Sequence, residues 1–96
     1  MTFLVPAKPK APHTSATVHA QKTFAKTMLE EGTLDCVYAL VSGGGVAIMN
    51  ADSAAQAREK LAQGSTYQVT EYDVQALLNY AQRFDQVAGT LEKQGL

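Results

Sequence analysis

The feature that most constrains the fold is a pair of apolar segments joined by a glycine-rich connection. Leu34–Val41 and Val46–Met49 are rich in β-forming residues, and Ser42-Gly43-Gly44-Gly45 between them has free access to positive φ angles. We therefore predict a β-hairpin. A strand with one solvent-exposed face alternates apolar and polar residues, whereas both faces of this hairpin are apolar. On the first strand, Cys36, Tyr38 and Leu40 lie on one side and Val37, Ala39 and Val41 lie on the other.

A hairpin that is apolar on both faces needs a cover on both faces. A chain this short has only enough helix to cover one face of the sheet. Another group must therefore shield the second apolar face from water. Three covers fit the sequence: a second copy of the chain, a bound apolar ligand, or the chain's own last helix folded back over the sheet. We favour a homodimer of facing sheets, with higher homo-oligomers also compatible, because symmetric pairing is the commonest form of assembly.

The first third of the chain predicts a strand, a loop and a helix. Thr2–Val5 is a short β-prone run. Residues 6–13 are expected to form a loop rich in proline and lysine, because three prolines within seven positions exclude a regular helix. A helix then begins after a cap at Thr14 or Ser15 and ends at Gly32.

The second half predicts a helix, a strand and a last helix. Ser53, with Gln56 three residues later, fits a capping box for a helix that ends before Gly64. Tyr67–Tyr72 alternates like a strand, although Thr70 with Asp73 also fits a helix start, so residues 70–74 stay open between the two. A sustained three-and-four spacing of apolar residues predicts a C-terminal helix over residues 75–94.

The resulting order of elements is β-α-β-β-α-β followed by an extra C-terminal helix. That order is the split βαβ, or ferredoxin-like, plan of an α+β fold: an antiparallel sheet with two helices on one face. With 96 residues, we expect a single domain over residues 1–96.

Composition narrows the class of partners. The chain is 46% hydrophobic and 18% charged, which is typical of a globular protein and argues against extensive disorder. The net charge of −1 gives no general electrostatic basis for binding nucleic acid. One cysteine excludes an internal disulfide, and neither a membrane span nor a secretory signal is recognisable. We expect a soluble cytoplasmic protein.

Few residues suggest chemistry. Tyr38, Tyr67 and Glu71 are the candidate catalytic residues, since a carboxylate near tyrosines in an apolar pocket has a raised pKa and can move protons. The alternative is that the tyrosines pack and Glu71 is a solvated strand end. His13 and His19 are six positions apart, a spacing that does not suit a metal pair on one helix face. We expect neither a metal nor a cofactor.

The order of elements, the run Glu31-Gly32-Thr33 before a strand, and Asp52-Ser53 before an amphipathic helix resemble the muconolactone isomerase-like branch of the dimeric α+β barrel superfamily. The resemblance spans roughly residues 20–80. It implies two ferredoxin-like units paired into one barrel, with a small-molecule pocket between sheet and helices. The family's isomerases carry a basic strand after the Glu-Gly-Thr run, whereas Leu34–Leu40 here contains no Arg, Lys or His, so no catalytic residue is carried over.

Two functions are consistent with these observations. The first is a small-molecule-binding barrel, either an isomerase or a cofactor-free oxidoreductase, acting on an aromatic or lactone-like compound. The second is a non-catalytic module that assembles with or regulates a partner through its sheet face and C-terminal helix. An enclosed cavity of several hundred Å³ with an inward polar group favours the first, and a sheet face filled by apolar side chains favours the second.

Overall fold

The structure is a computed structural model that describes all residues from Met1 to Leu96. It contains five strands, three α-helices and one 3-10 turn. In chain order these are β1 (Thr2–Pro9), α1 (Ser15–Glu31), β2 (Leu34–Ala39), β3 (Gly45–Asn50), α2 (Ala54–Ala62), the 3-10 turn (Tyr67–Val69), β4 (Thr70–Tyr72), β5 (Gln75–Ala76) and α3 (Tyr80–Lys93).

The strands form one antiparallel sheet in the order β2-β3-β1-β4, and β5 also pairs with β1. The first and third strands are therefore central, as the ferredoxin-like plan requires. The predicted hairpin is confirmed, although β2 ends at Ala39 and leaves Leu40 and Val41 in the connection. The α+β fold class predicted from the sequence is confirmed.

The loop predicted for residues 6–13 is wrong over its first part, because β1 continues through Pro9. Pro6 and Pro9 both favour an extended backbone, and each lacks the N–H group that would donate a hydrogen bond to a neighbouring strand. The loss differs between them, because they face different neighbours. Pro9 lies beyond Gly45, the β3 residue paired with Ala7, so it interrupts no pairing with β3. Pro6 faces the other neighbour, where the N–H of Asp73 donates to the Pro6 carbonyl at 3.0 Å and no return bond can form.

That missing bond separates β4 from β5. Both short strands follow one register along β1, with Ala7 opposite Tyr72 and Phe3 opposite Ala76. The pairing also extends past both ends, since Lys10 N–H donates to the Val69 carbonyl at 3.0 Å and Leu77 N–H donates to the Thr2 carbonyl at 2.9 Å. Residues 69–77 thus form one edge segment that Pro6 interrupts at its centre.

Two predicted boundaries near this edge are wrong. The predicted strand Tyr67–Tyr72 begins as a 3-10 turn, and only Thr70–Tyr72 is extended. The C-terminal helix predicted over residues 75–94 starts at Tyr80 instead, because Gln75 and Ala76 pair with β1 and Asn79 supplies the N-cap. The Asn79 side-chain oxygen accepts from the Ala81 N–H at 2.9 Å.

The boundaries of α1 agree with the sequence prediction. Thr14 is the N-cap, and Thr17 completes a reciprocal capping box with it. Gly32 ends the helix at a φ of 80°, a left-handed conformation that glycine adopts without strain. The predicted Ser53 cap of α2 is also confirmed, with the Gln56 N–H donating to Ser53 Oγ at 3.1 Å.

The core lies between one face of the sheet and helices α1 and α2. Phe3, Val5 and Met49 are the largest fully buried side chains, and their burial contributes about 1.5–3 kcal/mol each. The other buried apolar residues are Met28, Leu34, Ala51, Ala57 and Leu61. This face of the sheet and the helices above it position the site described below.

Two apolar surfaces remain outside this core. On the sheet face away from the helices, Leu4 pairs with Ile48 and Pro6 pairs with Val46, and all four side chains are only half-buried. Helix α3 has no buried residue, although it is amphipathic and carries an apolar stripe of Tyr80, Phe84, Val87 and Leu91. The last helix therefore does not cover its own sheet, which removes one of the three covers considered from the sequence.

Candidate functional site

A cavity of about 410 Å³ lies between α1 and the helix-facing side of the sheet. Its wall is mostly apolar, because β1, β2 and β3 present small or aliphatic residues there and α1 contributes residues one turn apart. The sheet contributes Val5, Ala7, Val37 and Ala47, and the helix contributes Val18, Phe24, Ala25 and Met28. The volume falls within the range of pockets that hold small organic molecules.

The cavity exists partly because small side chains line the sheet beneath α1. Ala7, Gly45, Ala39 and Ala47 fill little of the space between helix and strands. The hairpin connection packs directly against β1, since a Cβ atom at Gly44 would collide with the backbone carbonyl of Ala7. Gly44 also has a φ of 76°, so both the contact and the conformation require glycine.

One wall of the cavity is polar and is built from α1 and β4. Gln21 Nε2 donates to Thr70 Oγ1 at 3.0 Å, and Thr70 is itself buried. Tyr72, two residues along β4, also lines the cavity and is half-buried. A buried polar group that is already hydrogen-bonded remains able to orient a ligand through its spare donors and acceptors.

Burial raises the pKa of the Tyr72 phenol above its usual value of 10.0. Hydrogen bonding with the side chains of Thr70, Gln21 and Thr66 opposes this shift, and the neighbouring Tyr67 adds to it. Because the net direction is upward, Tyr72 is a neutral hydroxyl at physiological pH. It can donate a hydrogen bond to a ligand and accept one from it.

The charged groups at the cavity are all basic. Lys8 and Lys22 line it, together with the half-buried imidazole of His13, and no aspartate or glutamate does. His13 Nδ1 lies 3.2 Å from Thr17 Oγ1, a contact that orients the ring at the start of α1. Lys8 has a carboxylate neighbour outside the cavity, because Glu71 is its direct partner across β1 and β4.

The three candidate catalytic residues are not brought together. Tyr38 contributes to the cavity wall, yet its pairing with Val46 places its side chain on the opposite face of the sheet, where it is 67% exposed. Tyr67 and Glu71 are exposed and do not line the cavity, so their predicted place in the pocket is wrong. Tyr67 lies in the 3-10 turn that precedes β4, the strand that carries Glu71.

Tyr72, which was not among the candidate catalytic residues, is the tyrosine of β4 that lines the cavity. The ring of Tyr67 stacks on that of Tyr72, with centroids 6.0 Å apart and an angle of 15° between the planes. Tyr72 faces the cavity because it pairs with Ala7, on the same face as the buried Val5. The alternation of β4 indicates that Tyr72 and Glu71 face opposite sides of the sheet. Which of the two faces the cavity depends on the register between β4 and β1, which the sequence does not display.

No three His, Cys, Asp or Glu side chains converge in an arrangement that could hold a metal ion. His13 lines the cavity, whereas His19 lies in a separate polar groove beside Thr23 and Thr27. None of the helices is long and apolar enough to cross a membrane.

Comparison with solved structures finds a crystal structure of muconolactone isomerase with a TM-score of 0.70. The match covers 83% of this chain and 91% of that chain, at 18% sequence identity. No protein-family profile and no curated protein matches the sequence. The likeness confirms the fold predicted from the sequence resemblance, and at this identity it concerns the fold alone.

Proposed function

We propose that this chain binds an apolar small molecule in the cavity between α1 and the sheet. The observation that carries the proposal is a cavity of about 410 Å³ whose wall is mainly aliphatic and aromatic. A few convergent polar groups in an otherwise apolar pocket are typical of ligand sites. Here Gln21, Thr70 and Tyr72 supply those groups, so the ligand is expected to carry at least one hydrogen-bonding atom.

A fluorescent apolar probe tests binding directly. We expect neutral N-phenyl-1-naphthylamine to bind, and Ala25→Phe to weaken it at least about tenfold by filling the cavity. Ala16→Phe is the matched control, because it adds the same ring to the same helix at an exposed position outside the cavity. Equal affinity in the two variants, with both folded by circular dichroism, would remove the cavity as the binding site.

We further propose that the chain is a homodimer whose sheets face each other. The half-buried pairs Leu4–Ile48 and Pro6–Val46 support this, since they leave an apolar surface at the centre of the sheet without a cover. Two such faces are self-complementary in a two-fold arrangement.

Size-exclusion chromatography with light scattering tests the pairing. The expected mass is twice 10.3 kDa, and Ile48→Asp should reduce it to a single chain. Val41→Asp is the control, because Val41 is fully exposed in the hairpin connection. Val37 is unsuitable for this test, since it lines the cavity. A mass of 10.3 kDa for the unaltered chain would refute the dimer.

A catalytic form of the proposal is an isomerase or cofactor-free oxidoreductase acting on an aromatic or lactone-like compound. The observation in its favour is the neutral Tyr72 hydroxyl at the cavity wall beside Gln21, where it can donate a hydrogen bond to a carbonyl oxygen. Muconolactone is the first compound to assay. Tyr72→Phe should lower the rate at least about tenfold, while Tyr67→Phe and Glu71→Gln test the candidates named from the sequence.

The competing function is a non-catalytic assembly or regulatory module. Its support is α3, whose apolar stripe is exposed along the whole helix. The probe experiment separates the two functions: an assembly module needs no cavity ligand, so the neutral probe would not bind the cavity.

A further inference from the structure

The charges around the cavity point to the kind of ligand it takes. We propose that the ligand of the proposed binding function is an apolar organic anion: an aliphatic or aromatic body with one carboxylate- or sulfonate-like group at the α1 side of the cavity mouth. The inference rests on the proposed binding function and adds the sign of the ligand's charge.

The first observation is the one-sided charge of the wall. Lys22 is the charged side chain of α1 that lines the cavity, and no carboxylate lines it. Lys8 also belongs to the wall, but its pairing with Glu71 places its side chain on the other face of the sheet, with Leu4 and Pro6. A cation at the mouth of an apolar cavity attracts anions, because the low-dielectric wall concentrates the field.

The second observation is the position of Lys22 on its helix. Val18, Ala25 and Met28 lie on the same face of α1 and line the cavity with it. Lys22 itself is exposed, which fits a side chain whose stem runs along the apolar lip while its ammonium group stays in water. A ligand buried against Val18 and Ala25 would place a terminal anionic group within reach of that ammonium group.

His13 lies at the same end of the cavity, where its Nδ1 contacts Thr17 Oγ1. The Thr17 hydroxyl donates its proton to the Thr14 carbonyl, so the neutral ring donates to Thr17 and has no second donor for an anion. The Lys22 ammonium group, with three donors, therefore supplies the hydrogen bonds to a carboxylate or sulfonate. Lys8 contributes less to this end, because Glu71 lies directly opposite it across the strands.

Two fluorescent probes with a shared aromatic body test the inference. The neutral one is N-phenyl-1-naphthylamine, and the anionic one is 8-anilinonaphthalene-1-sulfonate. Lys22→Met should weaken the anionic probe about twofold to fivefold and leave the neutral probe unchanged. Lys26→Met is the matched control, because Lys26 is exposed one turn later on α1 and does not line the cavity.

Salt provides an independent readout. Raising sodium chloride from about 0.02 M to about 0.3 M should weaken the anionic probe and not the neutral one, and Lys22→Met should reduce that salt dependence. The Ala25→Phe variant must weaken both probes, which separates the cavity from the exposed stripe of α3. Phe84→Ala, which removes an aromatic ring of that stripe, should leave both affinities within about twofold.

The outcomes separate the two proposals. If the neutral probe binds in the cavity but Lys22→Met and Lys26→Met affect the anionic probe equally, binding stands and the preference for anions is refuted. If neither probe responds to Ala25→Phe, the proposed binding function is refuted as well. A selective loss of the anionic probe in Lys22→Met, with a weaker salt effect, establishes the anionic end of the site.

Discussion

Gln21 and Thr70, which are 49 positions apart in the sequence, are joined by a 3.0 Å hydrogen bond from Gln21 Nε2 to Thr70 Oγ1. This bond ties the middle of α1 to the edge strand β4 across the polar wall of the cavity. Thr70 is buried, so the bond lies where water competes weakly for its donor and acceptor.

Removing this bond should destabilise the chain. Thr70→Val keeps the shape of the side chain but leaves the Gln21 amide without its acceptor, and we expect a loss of about 1–3 kcal/mol in the free energy of unfolding. Thr70→Ser keeps the hydroxyl and should lose less. Urea denaturation measures both, and a double-mutant cycle with Gln21→Met isolates the pair. Additive effects in that cycle would mean that the two side chains do not interact.

The raised pKa of Tyr72 predicts a loss of stability at high pH. A group whose pKa is raised in the folded state stabilises fully below its unfolded pKa, here 10.0, and this contribution is lost as the pH rises through the folded value. The free energy of unfolding should therefore fall more steeply between about pH 9 and pH 11 in the unaltered chain than in Tyr72→Phe. Tyr80→Phe, at an exposed position on α3, serves as the control and should follow the unaltered chain.

Gly44 and Gly43 form a matched pair for testing the hairpin connection. Both have positive φ angles, but only at Gly44 would an added Cβ meet the backbone of Ala7. We expect Gly43→Ala to cost about 1–2 kcal/mol from conformational strain and Gly44→Ala to cost about 2–4 kcal/mol from strain and collision together. Thermal and urea unfolding measure the difference. Equal costs would indicate that the connection stands away from β1.

Substitutions at Glu71 and Tyr67 test whether these residues at the edge of the sheet contact a ligand in the cavity. Neither residue lines the cavity, so Glu71→Gln and Tyr67→Phe should leave the affinity for a neutral apolar probe within about twofold. Glu71→Gln also removes the carboxylate opposite Lys8, so it should strengthen binding of an anionic probe slightly. A large loss for the neutral probe in Glu71→Gln would place that side chain at the ligand.

Local chemistry made much of the fold predictable. The Thr14 and Ser53 caps and the Gly32 stop each act within a few residues of the helix end, so the sequence displays them directly. The hairpin follows from β-forming runs around glycines, and the order of elements follows from these boundaries. Each of these inferences needed only short stretches of sequence.

The errors arose where a distant strand decided the outcome. Gln75 and Ala76 fit a helical pattern, but they pair with β1 at the edge of the sheet. Pro6 and Pro9 are typical of a loop, yet both sit in a strand where the missing N–H groups cost at most one ladder bond. For the same reason Tyr72 rather than Glu71 lines the cavity, because the side of the sheet that each residue faces depends on the pairing with β1.

Helix α3 shares no core with the rest of the chain. A helix of fourteen residues is marginal in water when nothing packs against it, because the cost of nucleation is spread over few hydrogen bonds. These last residues therefore gain no stability from packing on their own sheet. Truncation after Asn79 should leave the remaining protein to melt as cooperatively as before, so the C-terminal segment can diverge in sequence without endangering the scaffold that shapes the cavity.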